Sequence, residues 1–160
     1  MTEAWVVNAS PLILFARVNR LALIELLAPA VLVPGAVVEE IRVGLPHDPT
    51  ASAAVEWAVP HRVENVAVAA SVEHWDLGPG EAQVITHAAG RPRWAVLDDR
   101  AARRCAAALG VPTIGSLGIV LRARQRGHIT RARPVVQELV AAGMFLDNEL
   151  IERVLATVGE

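Results

Sequence analysis

The 160-residue chain contains no lysine and no tyrosine, only two phenylalanines, and a single cysteine. Each absence excludes something. Without lysine there is no P-loop, whose Lys must reach the nucleotide phosphates, no amine for a Schiff base, and no phospho-receiver site of the usual kind. Cys105 alone cannot form an internal disulfide, and its Ala-rich surroundings suggest a small buried side chain inside a helix. With so few aromatics, the core must be built from Val, Leu, Ile and Ala, an aliphatic α/β composition. No apolar run approaches the ~20 residues needed to span a bilayer, and no basic segment followed by an apolar stretch opens the chain. A cytoplasmic protein without membrane contact is expected. At this length, 53% hydrophobic and 20% charged residues suit one compact core, so residues 1–160 are read as one domain.

The formal net charge of −2 hides an asymmetry. From Arg91 to Arg133 there are ten arginines against Asp98 and Asp99 alone, whereas the rest of the chain holds five arginines and fifteen acids. A basic third suggests contact with a polyanion, because arginines neutralise phosphates and release counterions. The competing reading is a solvated helix surface paired with acids from elsewhere in the fold.

Strand and helix signals alternate along the chain. Ala4 to Val7 reads as a strand, and Pro11 suits the first turn of the helix that follows, capped by Asn8 or Ser10. A break near Asn19 divides the next apolar pattern into two short helices. Val31 to Val33 is again a strand, with a helix through Glu39, Glu40 and Ile41 after Pro34. Ala51 to Ala58 suggests a short helix, and His61 to Val68 has partial strand alternation. Gly78-Pro79-Gly80 is a turn that opens a helix at Glu81. Trp94 to Leu97 forms a buried strand ending at Asp98-Asp99, followed by an Ala-rich helix to Leu109. Val111 to Ile114 is a further strand, and Gly115-Ser116 leads into a helix to Arg126. Two amphipathic helices, Pro134 to Ala142 and Asn148 to Val158, close the chain as a pair packed on the rest or as a dimer seam. Such alternation implies a mainly parallel sheet.

In parallel α/β sheets the functional crevice lies at the carboxyl ends of the strands. The residues there are Asn8 and Ser10, then Asp98 and Asp99, then Ser116, and the helices bearing Glu39, Glu40 and Glu81 could close over the same edge. Two unit charges 4 Å apart repel by ~4 kcal/mol at an effective dielectric of ~20, so converging carboxylates call for a cation. Oxygen donors without a Cys or His ligand pattern favour Mg²⁺ or Mn²⁺ over zinc. Each residue also has a plainer reading. Glu81 could favour a helix N-terminus, Asp99 could be an N-cap, and one of Glu39 and Glu40 should face water. The five histidines have no ligand spacing, and the four tryptophans suit packing better than base stacking.

In this order, the segments Val7-Asn8-Ala9-Ser10-Pro11-Leu12-Ile13, Val33-Pro34-Gly35-Ala36-Val37-Val38-Glu39-Glu40-Ile41, Leu77-Gly78-Pro79-Gly80-Glu81-Ala82-Gln83, Leu97-Asp98-Asp99-Arg100 and Ile114-Gly115-Ser116-Leu117-Gly118 resemble the PIN domain family. The likeness runs from about Val6 to Leu121. It implies a three-layer α/β/α fold with a four- to five-strand, mainly parallel sheet flanked by helices, and an acid cluster that binds Mg²⁺ or Mn²⁺ for endonucleolytic RNA cleavage. Many small bacterial members resemble VapC-type toxins, which implies a cognate antitoxin as partner, and a homodimer. Position by position, the resemblance implies Glu40, Glu81 and Asp99 as catalytic metal ligands, with Asp98 a close alternative. Asn8 stands where the first Asp is usual, Ser10 and Ser116 are supporting polar residues, and Arg100, Arg103 and Arg104 are expected to hold RNA. An amide can ligate through its carbonyl oxygen, but it brings no charge and cannot act as a general base. Two function classes therefore stand side by side: a metal-dependent ribonuclease, and a catalytically impaired PIN-like module that binds RNA or a protein. An unrelated α/β enzyme ranks last, for want of a nucleophile motif or a phosphate loop.

Overall fold

A computed structural model describes residues 1–160. Five strands form one sheet in the order β3-β2-β1-β4-β5, and every neighbouring pair is parallel. The strands are β1 (Ala4–Val7), β2 (Val31–Pro34), β3 (Arg62–Val63), β4 (Arg93–Val96) and β5 (Thr113–Ile114). All four residues of the central strand β1 are buried, as expected where helices cover both faces of a parallel sheet. Its Trp5 pairs with Trp94 of β4, and the two rings stack with centroids 5.8 Å apart.

The helices are α1 (Ala9–Arg17), α2 (Ala22–Leu27), α3 (Gly35–Val43), α4 (Ala51–Ala58), α5 (Ala70–Glu73), α6 (Pro79–Ala88), α7 (Arg100–Ala108), α8 (Ser116–Gln125), α9 (Ala132–Ala141) and α10 (Asn148–Ala156). One group, α1, α3, α4 and α6, packs together, while α8 joins α2 to α9. Forty buried residues make one connected apolar cluster, and its large members are aliphatic apart from Trp5 and Phe15. No helix is long and apolar enough to cross a membrane. The break between α1 and α2 falls at Asn19, whose φ of 55° lies in the left-handed region that Asn tolerates best among residues with a side chain.

Some sequence expectations are corrected. The alternation from His61 to Val68 yields a strand of two residues only, because the backbone of Glu64 and Val66 bonds to the side chains of His87 and Gln83, and Asn65 turns its own side chain to Ala36 N, instead of extending the sheet. Val111 to Ile114 shortens to Thr113–Ile114. Helix α5 carried no periodic signal, since four residues make barely one turn. Asn8 occupies the position before α1, but its side chain makes no capping bond; Ser10 lies inside the helix and is exposed.

Candidate active site

The strand order places the topological switch at β1 and β4: the chain runs outward from β1 through β2 to β3, then returns to β4 and continues to β5. In open α/β sheets this switch opens a crevice at the carboxyl ends of the diverging strands. Asn8 directly follows β1 there, and Asp98 and Asp99 follow β4. A cavity of about 1010 Å³ occupies that edge, and Asn8, Ser10, Glu40, Glu81, Asp98 and Asp99 all line it, with Arg103 in the same wall. Residues remote in sequence thus share one cavity. Arg100 and Arg104 do not; they lie exposed on α7.

Glu40 comes from the second turn of α3 and Glu81 from the first turn of α6. The two helices meet at Gly80. A Cβ there would stand 3.0 Å from Glu40 Oε1, 3.3 Å from Val37 Cγ2 and 3.4 Å from Asn8 Oδ1, so a bare backbone lets the Glu40 and Asn8 oxygens approach the same point. Asn8 is 3% exposed, and its buried Oδ1 accepts no hydrogen bond. An unsatisfied buried acceptor costs ~1–3 kcal/mol, and its persistence at the floor of an acidic cavity is explained if the oxygen serves an external donor or cation. Burial pushes the Glu81 carboxyl above the ordinary carboxylate range; the negative charge of Asp99 adds to the push, a backbone hydrogen bond at Gly78 opposes it, and Glu40 adds a further increment. Burial also raises Glu40. Neither carboxylate has a cationic partner.

The adjacent aspartates are occupied differently. Asp98 accepts hydrogen bonds from both the backbone N–H and the hydroxyl of Ser116, at 2.7 and 2.6 Å. Ser116 is fully buried at the start of α8, so Asp98 fastens that helix to β4. Asp99 caps α7, its Oδ2 accepting from Ala102 N at 2.9 Å, while its charge still reaches Glu81. Arg103 donates from Nη1 to Leu97 O at 3.1 Å and remains exposed. A Cβ at Gly115 would stand 2.8 Å from Arg103 Nη1 and 2.9 Å from Asp98 Oδ1, so glycine is needed for these groups to close together.

A set of positioning residues was not foreseen. Gln83 on α6 is buried and clamps Val66: its Oε1 accepts from Val66 N at 2.9 Å, and its Nε2 donates to Val66 O at 2.7 Å. Asn65 Oδ1 accepts from Ala36 N at the start of α3, 2.9 Å away. His87 Nε2 bonds to Glu64 O at 3.0 Å; a carbonyl only accepts, so this nitrogen carries the proton. Residues 64–66 therefore strap the Glu40 helix to the Glu81 helix. The one available signal was the position of Gln83, two residues after Glu81.

The donor set suits a hard cation in one specific manner. No group of three or more His, Cys, Asp or Glu side chains is close enough to hold a metal ion by itself, so there is no ready-made carboxylate cage. Two unpaired carboxylates, a free amide oxygen and the second oxygen of Asp99 fit an ion of the Mg²⁺ kind, which keeps several waters and takes only one or two protein carboxylates.

An all-parallel sheet with an oxygen-lined acidic crevice at its switch point defines the class: an open α/β protein with its candidate site at the carboxyl ends of the strands. The PIN domain family model, DUF3368, matches residues 4–160. The chain belongs to that family. No curated protein and no solved structure gave a significant match.

Proposed function

We propose that this PIN domain is a ribonuclease that uses Mg²⁺ or Mn²⁺ to hydrolyse RNA phosphodiester bonds at the edge formed by Asn8, Glu40, Glu81 and Asp99. The observation that carries the reading is the meeting of Glu40 Oε1 and the unpartnered Asn8 Oδ1 over Gly80, beside a Glu81 that lacks any counter-charge. Glu40, Glu81 and Asn8 would hold the cation, with Asp99 contributing charge from the start of α7. When bound, the ion would supply an acidified water and neutralise charge on the phosphate. The protein's own part is to fix the donors: the strap through Gln83 and Asn65 sets the distance between α3 and α6, and Asp98 with Ser116 holds the floor. Arg103 in the cavity wall, with Arg100 and Arg104 outside it, would bind the flanking phosphates.

Asn8 in place of an acid lowers the negative charge at the edge and favours a weakly held ion. The alternative, a PIN-like module that binds RNA or a protein without cleaving, rests on that same residue. A small antitoxin and a second copy of the chain are the proposed protein partners, on the strength of the toxin-like members of the family. The deciding experiment is incubation of purified protein with unstructured and hairpin RNAs at millimolar Mn²⁺. Cleavage by the wild type, reduced at least ~100-fold in Glu81→Gln, supports the nuclease. RNA bound intact by both proteins supports the module.

A further inference from the structure

The chain has two phenylalanines with opposite fates. Phe15 is fully buried in the core, while Phe145 is 101% exposed. Phe145 sits in the short connection between α9 and α10, yet that connection is tied down on every side. Met144 N donates to Leu139 O at 2.9 Å, and Arg17 Nη1 donates to Ala142 O at 2.8 Å. Gly143 turns the chain at φ +118°, and Asp147 caps α10 through Glu149 N. Met144 is buried and Leu146 packs on the core. The connection has thus buried Met144, half-buried Leu146 and left the ring between them in water.

Phe145 lines the same cavity as Asn8, Glu40, Glu81 and Asp99. That cavity also has an apolar lining, with Leu117 and Leu121 from α8 and Leu150 and Val154 from α10, and Arg17 and Arg103 among the residues around it. Among the large apolar side chains that are exposed, Phe145 alone lines this cavity; Leu26, Val43 and Trp75, for instance, lie elsewhere. A lone solvated ring at the end of a phosphate-directed edge suits a ligand whose charge and flat apolar face alternate every few ångströms. Single-stranded nucleic acid has that pattern, and every base offers a stacking face. Bases paired in a duplex do not.

Building on the nuclease reading above, we propose that Phe145 is a substrate-binding platform on which an unpaired base of the RNA stacks beside the apolar lining of the cavity. A stacking contact of this kind is worth roughly 5- to 150-fold in affinity on truncation to alanine.

The test measures anisotropy of a labelled unstructured RNA, in a Glu81→Gln background so that bound RNA stays intact. Phe145→Ala should weaken binding roughly 5- to 150-fold, and Phe145→Trp should keep it within a few-fold. An oligonucleotide with abasic positions should bind the Phe145 protein as weakly as the intact strand binds Phe145→Ala, with little further loss when both changes are combined. Duplex RNA should be indifferent to Phe145. The inference is overturned if Phe145→Ala binds single strands normally, or loses duplex and abasic RNA to the same extent. It is equally overturned if the substitution abolishes self-association in sedimentation while RNA binding persists, because the ring would then belong to an interface between copies. Absence of RNA binding by wild type and Glu81→Gln alike would overturn the nuclease reading itself; RNA binding that ignores Phe145 would overturn this inference alone.

Discussion

Asp98 and Asp99 are neighbours in sequence and serve different partners in space. Both oxygens of Asp98 are committed to Ser116, whereas Asp99 uses one oxygen on Ala102 N and keeps its charge within reach of Glu81. Asp98→Ala should therefore cost stability, about 1–3 kcal/mol for a stranded buried hydroxyl and N–H, visible as a lower urea midpoint with unchanged slope. Asp99→Ala should cost ~1 kcal/mol as a lost cap but weaken Mn²⁺ binding more than Asp98→Ala does. The reverse order would exchange their roles. The pair was legible as important, because two acids after a buried strand exceed what one cap needs. It was not divisible, because the division depends on where Ser116, eighteen residues later, returns to the sheet. Glu81 adds a pH dependence. Its folded pKa lies above the ordinary value because burial and like charge oppose ionisation, so the folded state binds the extra proton and the metal-free protein loses stability as pH rises from the unfolded pKa through the folded one. A bound cation reverses that penalty. Mn²⁺ should accordingly raise the melting temperature more at pH 7 than at pH 5. Saturation at a hundredfold above Kd corresponds to about 2.7 kcal/mol and roughly 5–10 °C. Glu81→Gln should melt higher than wild type without metal and show little response to Mn²⁺.

At the scale of elements, the helices that carry chemistry were the readable part. Alternation of buried strands with amphipathic helices, punctuated by Pro34 and by Gly78-Pro79-Gly80, located α3, α6, α7 and α8 to within a residue or two, since their signals are local. The strap at residues 64–66 was not readable. Its partial alternation of apolar side chains resembles a strand, but its backbone groups at Glu64 and Val66 bond to His87 and Gln83 while the Asn65 side chain accepts from Ala36 N, contacts that span up to 29 residues and leave no periodicity. This strap is what sets α3 against α6. Gln83→Ala removes both bonds to Val66 and should destabilise the protein by about 1–3 kcal/mol. Because Glu40 and Glu81 ride on the two helices it joins, the same substitution should also loosen Mn²⁺ binding by calorimetric titration. A packing role alone would lower the melting temperature and leave the metal affinity of the folded protein untouched, and that result would remove Gln83 from the site.

Across the whole molecule, the basic stretch from Arg91 to Arg133 divides into two populations that the sequence could not separate. Arg93 pairs with Glu3, Arg124 and Arg131 lie beside Glu160, Arg133 forms two bonds to Glu152, and Arg122 covers the Trp94 ring. These tie the C-terminal helices and the far side of the sheet to the body, as the solvated-surface reading anticipated. Glu160 in particular accepts from Ala132 N and Arg133 N at the start of α9, contacts that hold its carboxyl below the usual range. Arg91, Arg100, Arg103, Arg104 and Arg126 are the exposed remainder, and of these Arg100, Arg103 and Arg104 stand on the helix that Asp99 opens at the edge of the site. Only arginines of this kind can exchange counterions for RNA phosphates, so the salt dependence of binding should report them and ignore the paired group. Each phosphate neutralised on a single strand contributes about 0.7 to the slope of log K against log salt. Arg100→Ala with Arg104→Ala should lower that slope by roughly 1.4 and weaken every RNA sequence alike. Arg133→Ala should leave the slope unchanged while lowering stability, because its charge is already spent on Glu152 and its loss frees an acid rather than a phosphate site. A slope that follows Arg133 instead of Arg100 and Arg104 would place the RNA path across the C-terminal helices, away from the acidic edge.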